Sequence, residues 1–166
     1  MKIASGEIIF LCDSDDFFAE KKIENIIKKF EDNNESKIIF DLPIYKYDNN
    51  IVYKKLKKKF YKSFWPNIFP TSCIAIKRED FVNNFAYLSC QEFPDIWLDF
   101  RMIVLSEYIY KDNTVYLNEN LTYYRQTKTS ISSKFKFLSK TWWKRRYQAH
   151  DYIKFFFKRN KIRFKP

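Results

Sequence analysis

The chain predicts an α/β fold, a sheet with flanking helices that ends in a basic, aromatic helical tail. Three observations carry this. The apolar run Ile8–Cys12 breaks abruptly into Asp13, Asp15 and Asp16. An amphipathic stretch follows at once, with Ile23, Ile26, Ile27 and Phe30 at helical spacing. Charge is also uneven: residues 134–166 hold 12 of the 31 Lys/Arg and only one of the 20 acids, Asp151, so the first 133 residues are balanced.

Taken in order, Ser5-Gly6-Glu7 reads as a turn. Ile8–Cys12 reads as a strand buried on both faces in a mainly parallel sheet. The helix of FFAEKKIENIIKKFEDNN stops at Asn33-Asn34. KIIFDLPIYKY and IVYKKL flank Asp48-Asn49-Asn50 and predict a β-hairpin. The basic stretch Lys54–Lys62 leads into the proline-punctuated FWPNIFP. SCIAIKREDF reads as a strand turning into a short helix. DIWLDFRMIVLSEYIY predicts a second long helix, with Ile96, Phe100, Ile103 and Val104 on one face. TVYLNENLTYYRQ reads as extended segments around a turn at Asn118–Asn120. A composition break near Ser130–Ser133 divides a domain, residues 1–133, from a helical extension, residues 134–166.

A chain of 166 residues is long enough for one real core. Hydrophobic content of 46% argues against disorder, and no stretch approaches the roughly 18 apolar residues of a membrane span. The start runs into acid too soon for a signal peptide. Cys12, Cys73 and Cys90 are odd in number and widely spaced, which suits reduced, buried thiols and a cytoplasmic location.

Three like charges within four positions repel, so stability alone does not account for them. At the carboxyl end of a strand they lie where open α/β sheets bind ligands. Hard divalent cations such as Mg²⁺ or Mn²⁺ take one or two carboxylates plus substrate phosphates. Asp13 and Asp15, two apart in an extended segment, would point to one side and share such an ion. The competing reading makes Asp15 or Asp16 a helix cap and leaves the other acids solvated.

Ala4-Ser5-Gly6-Glu7-Ile8-Ile9-Phe10-Leu11-Cys12-Asp13-Ser14-Asp15-Asp16 resembles, position by position, the A-x-G-E-x-I-x-F-L-D-S-D-D segment of the family 2 glycosyltransferases. PTSCIAIKREDF resembles their acceptor-side strand and helix start, and PDIWLDFRMIVLSEY the helix with the catalytic acid. LNENLTYYRQTKTSIS is similar to their L-x-x-Y-R-x-x-x-x-S-x-S stretch. Haloacid-dehalogenase-like phosphatases also place D-x-D after a strand, but follow it with Thr or Val where this chain has Phe17. The resemblance implies an incomplete GT-A-like (Rossmann-like) mixed sheet. In that family a nucleotide-binding half precedes the D-x-D segment. Here a late-assigned start, a fragment, or another chain supplying that half would account for the difference.

The resemblance implies an inverting transfer from a nucleotide-sugar donor to a cell-surface glycan or lipid-linked acceptor. Asp15 and Asp13 would bind Mn²⁺ or Mg²⁺; Asp13, Asp16 and Arg125 would contact the donor. Asp99 would be the catalytic base, with Asp95 four residues away as the fallback. Relatives carry a metal-binding histidine where this chain has Thr127. His150 reads as structural or surface rather than catalytic, and Trp65 and Trp97 as acceptor-site or core aromatics.

The tail interleaves ten aromatics with its twelve bases. Trp142, Trp143, Phe155 and Phe156 in a headgroup layer would give peripheral contact at the inner face of a membrane. Nucleic acid is the less favoured partner, and a helix packed on the domain with a solvated basic face is the structural alternative. A catalytically silent fragment that binds membrane, nucleic acid or protein through this tail is the alternative function.

Overall fold

The computed structural model of the chain describes residues 4–47, 50–55, 68–126 and 135–162. Trp65, Thr127, the centre of the predicted hairpin turn, most of the basic stretch before FWPNIFP and the composition break lie outside them. The elements are β1 Ile8–Phe10, β2 Phe17–Phe18, α1 Lys22–Asp32, β3 Ile38–Lys46 and β4 Ile51–Tyr53. A 3-10 turn at Thr71–Cys73 leads into β5 Ile74–Lys77 and α2 Arg78–Asn83. Then come α3 Phe85–Leu88, α4 Leu98–Tyr108, β6 Thr114–Arg125 and α5 Lys140–Arg159.

The sheet runs β1-β5-β3-β6-β2, with β4 also paired to β3 as the predicted hairpin. Among the described residues only β3 and β6 pair in parallel; every other pairing is antiparallel. This corrects the expectation of a mainly parallel sheet in which the first strand is buried on both faces. Among the described residues β1 is an outer strand paired only with β5, and its residues are half-buried. An apolar run had suggested two covered faces. The covered central strand is instead β3, buried from Ile38 to Ile44.

The period-2 alternation of strands divides two cores. Ile38, Phe40, Leu42, Ile74 and Ile76 face one side, with α4 and α5; Ile39 and Ala75 face the other, against Ile26 and Phe30 of α1. Ile23 and Ile27, expected on the inner stripe of α1, are exposed, and Lys22 takes a buried position on that stripe. Helix α4 is covered nearly all round, from Phe100 to Ser106. Ala149, Tyr152, Ile153, Phe156 and Phe157 of α5 belong to the same core, so the tail helix is a wall of the fold.

The turn expected at Asn118–Asn120 is absent, and β6 is one strand of 12 residues. Its parallel register with β3 slips between Phe40 and Leu42 and again at Pro43. Proline has no N–H to give the ladder. The surplus residues of β6 bulge there, and the Asn120 amide donates to the carbonyls of Pro43 and Lys54, both at 3.0 Å. Polar residues that resembled a turn satisfy the backbone of a bulge.

Candidate active site

The residues after β1 do not run on in extended form. Asp16 N–H donates to the Asp13 carbonyl at 3.1 Å, closing a turn with Ser14 and Asp15 at its tip. Asp13 and Asp15 therefore do not share a side by strand alternation, as the sequence reading had it. What brings acids together is the turn. Its fastening is Ser72, whose Oγ accepts from Asp13 N–H at 2.9 Å and donates to Asp16 Oδ2 at 2.6 Å. Asp16 Oδ1 accepts from the backbone N–H of Arg125 at 3.0 Å, tying the turn to the end of β6.

Asp16, expected at the donor, thus has both oxygens engaged in holding the turn. Neither Asp15 nor Asp16 caps α1: its N-cap is Lys21, without a side-chain cap. Asp15 stands exposed at the tip, and Asp13 is also exposed at the level of the whole residue. Arg125 gives its backbone to Asp16, and its side chain is exposed beside the turn. Cys12, expected to be buried, is exposed, whereas Cys73 is buried and Cys90 half-buried.

Beneath the turn lies a network that the sequence reading missed. The ammonium of Lys22 donates to Asp41 Oδ1 at 2.8 Å, to the Ser72 carbonyl at 2.5 Å and to Thr122 Oγ1 at 2.6 Å. Thr122 Oγ1 donates in turn to Asp41 Oδ2 at 2.6 Å. All four residues are fully buried. Buried charges persist only when paired and hydrogen-bonded, and this pair is both. Two signals were legible: an acid inside the apolar run IIFDLPI, and a lysine in register with Ile26 and Phe30, four and eight residues on.

Asp99 enters from the first turn of α4. Phe100 N–H donates to its Oδ1 at 2.7 Å. The loop before α4 is clamped by buried Arg101, which donates to the carbonyls of Ile96 at 2.8 Å, Leu88 at 3.0 Å and Phe93 at 2.9 Å. Burial pushes the Asp99 carboxyl up, against the pull of the Phe100 amide and the Arg145 guanidinium. That guanidinium lies 3.9 Å from the centre of the Trp97 ring. Asp95, the fallback base, lies before the helix rather than on the Asp99 face of it. Its Oδ2 accepts from Gln148 at 2.9 Å and meets Lys144 at 3.3 Å, which binds the loop to α5.

The charge of Asp99 reaches the turn. The Asp13 carboxyl is raised by burial and by the charges of Asp16, Asp15 and Asp99. Tyr124, not singled out from the sequence, is pushed up to about 12 by burial and by Asp16, Asp13 and Asp99. Asp13 and the neutral Tyr124 phenol thus both feel the negative charge of Asp16 and Asp99 near the carboxyl end of β1.

Among the described residues no three His, Cys, Asp or Glu gather as a protein-only metal centre. Asp13 and Asp15 offer exposed carboxylate oxygens, the hard donor type that a divalent ion takes together with phosphate oxygens. A cation there would offset the burial and the repulsion that together raise Asp13.

No curated protein matches the chain. A family model described as glycosyl transferase family 2 matches residues 1–90, which include the Asp13–Asp16 turn, Ser72 and the Lys22–Asp41 pair. The segment resemblance and the mixed, helix-flanked sheet agree with that match, and the chain belongs to glycosyl transferase family 2.

Proposed function

We propose that the chain transfers a sugar, with inversion, from a nucleotide-sugar donor to a hydroxyl of a cell-surface glycan or lipid-linked acceptor. The observation that supports this most is the family 2 match over residues 1–90, which holds the acidic turn after β1. A donor diphosphate at the turn would set its anomeric carbon toward the carboxylate that takes the acceptor's proton. Asp15 and Asp13 would hold Mn²⁺ or Mg²⁺. The ion would supply positive charge to the diphosphate oxygens as the bond to the sugar breaks.

The acceptor oxygen bonds to the anomeric carbon, and its proton passes to Asp99. The bond from that carbon to the diphosphate breaks, and the nucleoside diphosphate leaves with the electron pair. A raised pKa suits Asp99 to this role, because a carboxylate that holds protons more tightly is a better base near neutral pH. The exposed Arg125 side chain would meet the diphosphate charge, and Ser72 and Asp16 would keep the turn in shape. The reaction would take place in the cytoplasm.

The test is donor turnover by the purified chain across a panel of nucleotide sugars with Mn²⁺ or Mg²⁺. Release of nucleoside diphosphate, lost in Asp15→Ala and Asp99→Asn, supports the reading. A folded protein that binds neither nucleotide nor Mn²⁺ overturns it.

A further inference from the structure

The start of α5 and the turn before it place large apolar side chains in solvent. Phe137 is 76% exposed, Leu138 57%, Trp143 55% and Tyr147 68%. Lys140, Trp143, Lys144 and Tyr147 recur at three- and four-residue intervals, so they share one helix face. Phe137 meets Trp142 edge-on at 5.2 Å, and Trp142 meets Trp143 at 4.7 Å, so the aromatic rings form a continuous strip. Lys136, Lys140 and Lys144 are exposed among them, and no acid occurs between residues 134 and 150.

The opposite face of α5 is fixed in the core by Ala149, Tyr152, Ile153 and Phe156. Phe156, one of the aromatics expected at a membrane, is fully buried and takes no part. The strip is therefore shallow and rigidly presented, and it lies at the same end of α5 as Arg145, which acts on Asp99. A groove of about 310 Å³, lined by Ile68, Ile96, Phe100, Phe135, Trp142 and Arg145 among others, runs beside it.

We propose that residues 136–147 seat the protein on an anionic lipid bilayer. Exposed apolar strips of this kind mark interaction surfaces. Charge and ring chemistry select the partner: Trp and Tyr prefer the bilayer interface, and Lys around them favours anionic headgroups. Seated this way, the Phe100–Arg145 groove opens next to the bilayer, where a lipid-linked acceptor would present its hydroxyl. The surface rests on exposure and charge alone, independently of glycosyl transfer.

The experiment is flotation of the purified chain with vesicles of phosphatidylcholine, with and without phosphatidylglycerol, at low and high salt. The chain floats with the anionic vesicles, less so in high salt and hardly at all with phosphatidylcholine alone. Lys136→Glu with Lys140→Glu, which leaves the Lys144–Asp95 pair in place, lowers partitioning about tenfold or more, with an unchanged circular dichroism spectrum. Brominated lipids quench the fluorescence of the wild type, and Trp143→Phe removes most of that quenching. Absence of flotation, or equal flotation by the charge-reversed variant, overturns the proposal. So does a wild-type chain that binds single-stranded DNA through these lysines but never vesicles. The readout needs no sugar transfer, so it fails or succeeds separately from the enzymatic reading.

Discussion

The Lys22 ammonium and the Asp41 carboxylate meet at 2.8 Å with neither side chain open to solvent. Lys22 also holds the Ser72 carbonyl, while the Ser72 hydroxyl holds Asp13 and Asp16. The ion pair thus forms the floor of the site. Removing one partner leaves a buried charge without compensation. Lys22→Met is expected to cost about 3–5 kcal/mol, and Lys22→Met with Asp41→Leu clearly less than the sum of the two single changes. Urea unfolding of the three variants measures this.

Ser72→Ala takes both hydrogen bonds from the turn and leaves the ion pair in place. The expected stability loss is about 1–3 kcal/mol. Affinity for Mn²⁺ or catalytic turnover is expected to fall about 10–100-fold, as for groups that orient a metal ligand without touching the metal. Electron paramagnetic resonance of free Mn²⁺ during titration reports the first quantity. An unchanged Mn²⁺ affinity would deny Ser72 its positioning role.

Asp99→Asn separates activity from stability. The carboxyl is raised on folding by burial, so its charged form opposes the fold at pH above the unfolded value of about 3.9, and this opposition vanishes below it. Asn keeps an acceptor for Phe100 N–H without the charge. The variant is expected to melt at the wild-type temperature or higher at pH 7, with the gap closing toward acid. Turnover drops about 10²–10⁴-fold. Calorimetry across pH, beside donor turnover, checks both halves.

Arg145 draws the Asp99 carboxyl down against burial. Arg145→Met removes that pull, so Asp99 holds its proton to higher pH. The acid limb of kcat/KM is expected to move to higher pH, with little change on the alkaline side. A pH–rate profile of the variant decides it, and an unmoved acid limb would remove Asp99 from the base's role.

Much of the site was legible where chemistry is local. Three acids after an apolar run marked the place but not its turn, and Asp99 was picked out by the family resemblance rather than by its own surroundings in the sequence. The direction of the strands was not, because an apolar run records coverage and says nothing of which neighbour lies antiparallel. Asn118–Asn120 shared its composition with a turn, and only the pairing with Pro43 made it a bulge. Lys22, Ser72 and Thr122 lie 50 and 100 residues apart along the chain, so their meeting belongs to the tertiary fold alone. In α5, period alone could not say which aromatics face inward: Phe156 is buried and Trp143 is not.

The wall that α5 contributes has a bearing on biosynthesis. Until Tyr152, Ile153 and Phe156 have left the ribosome, Phe100, Ile103 and the sheet face beneath them lack their cover. A nascent chain halted after β6 carries the whole acidic turn together with an open apolar flank. Such an intermediate is prone to stick to its neighbours, and it is a natural client for a chaperone.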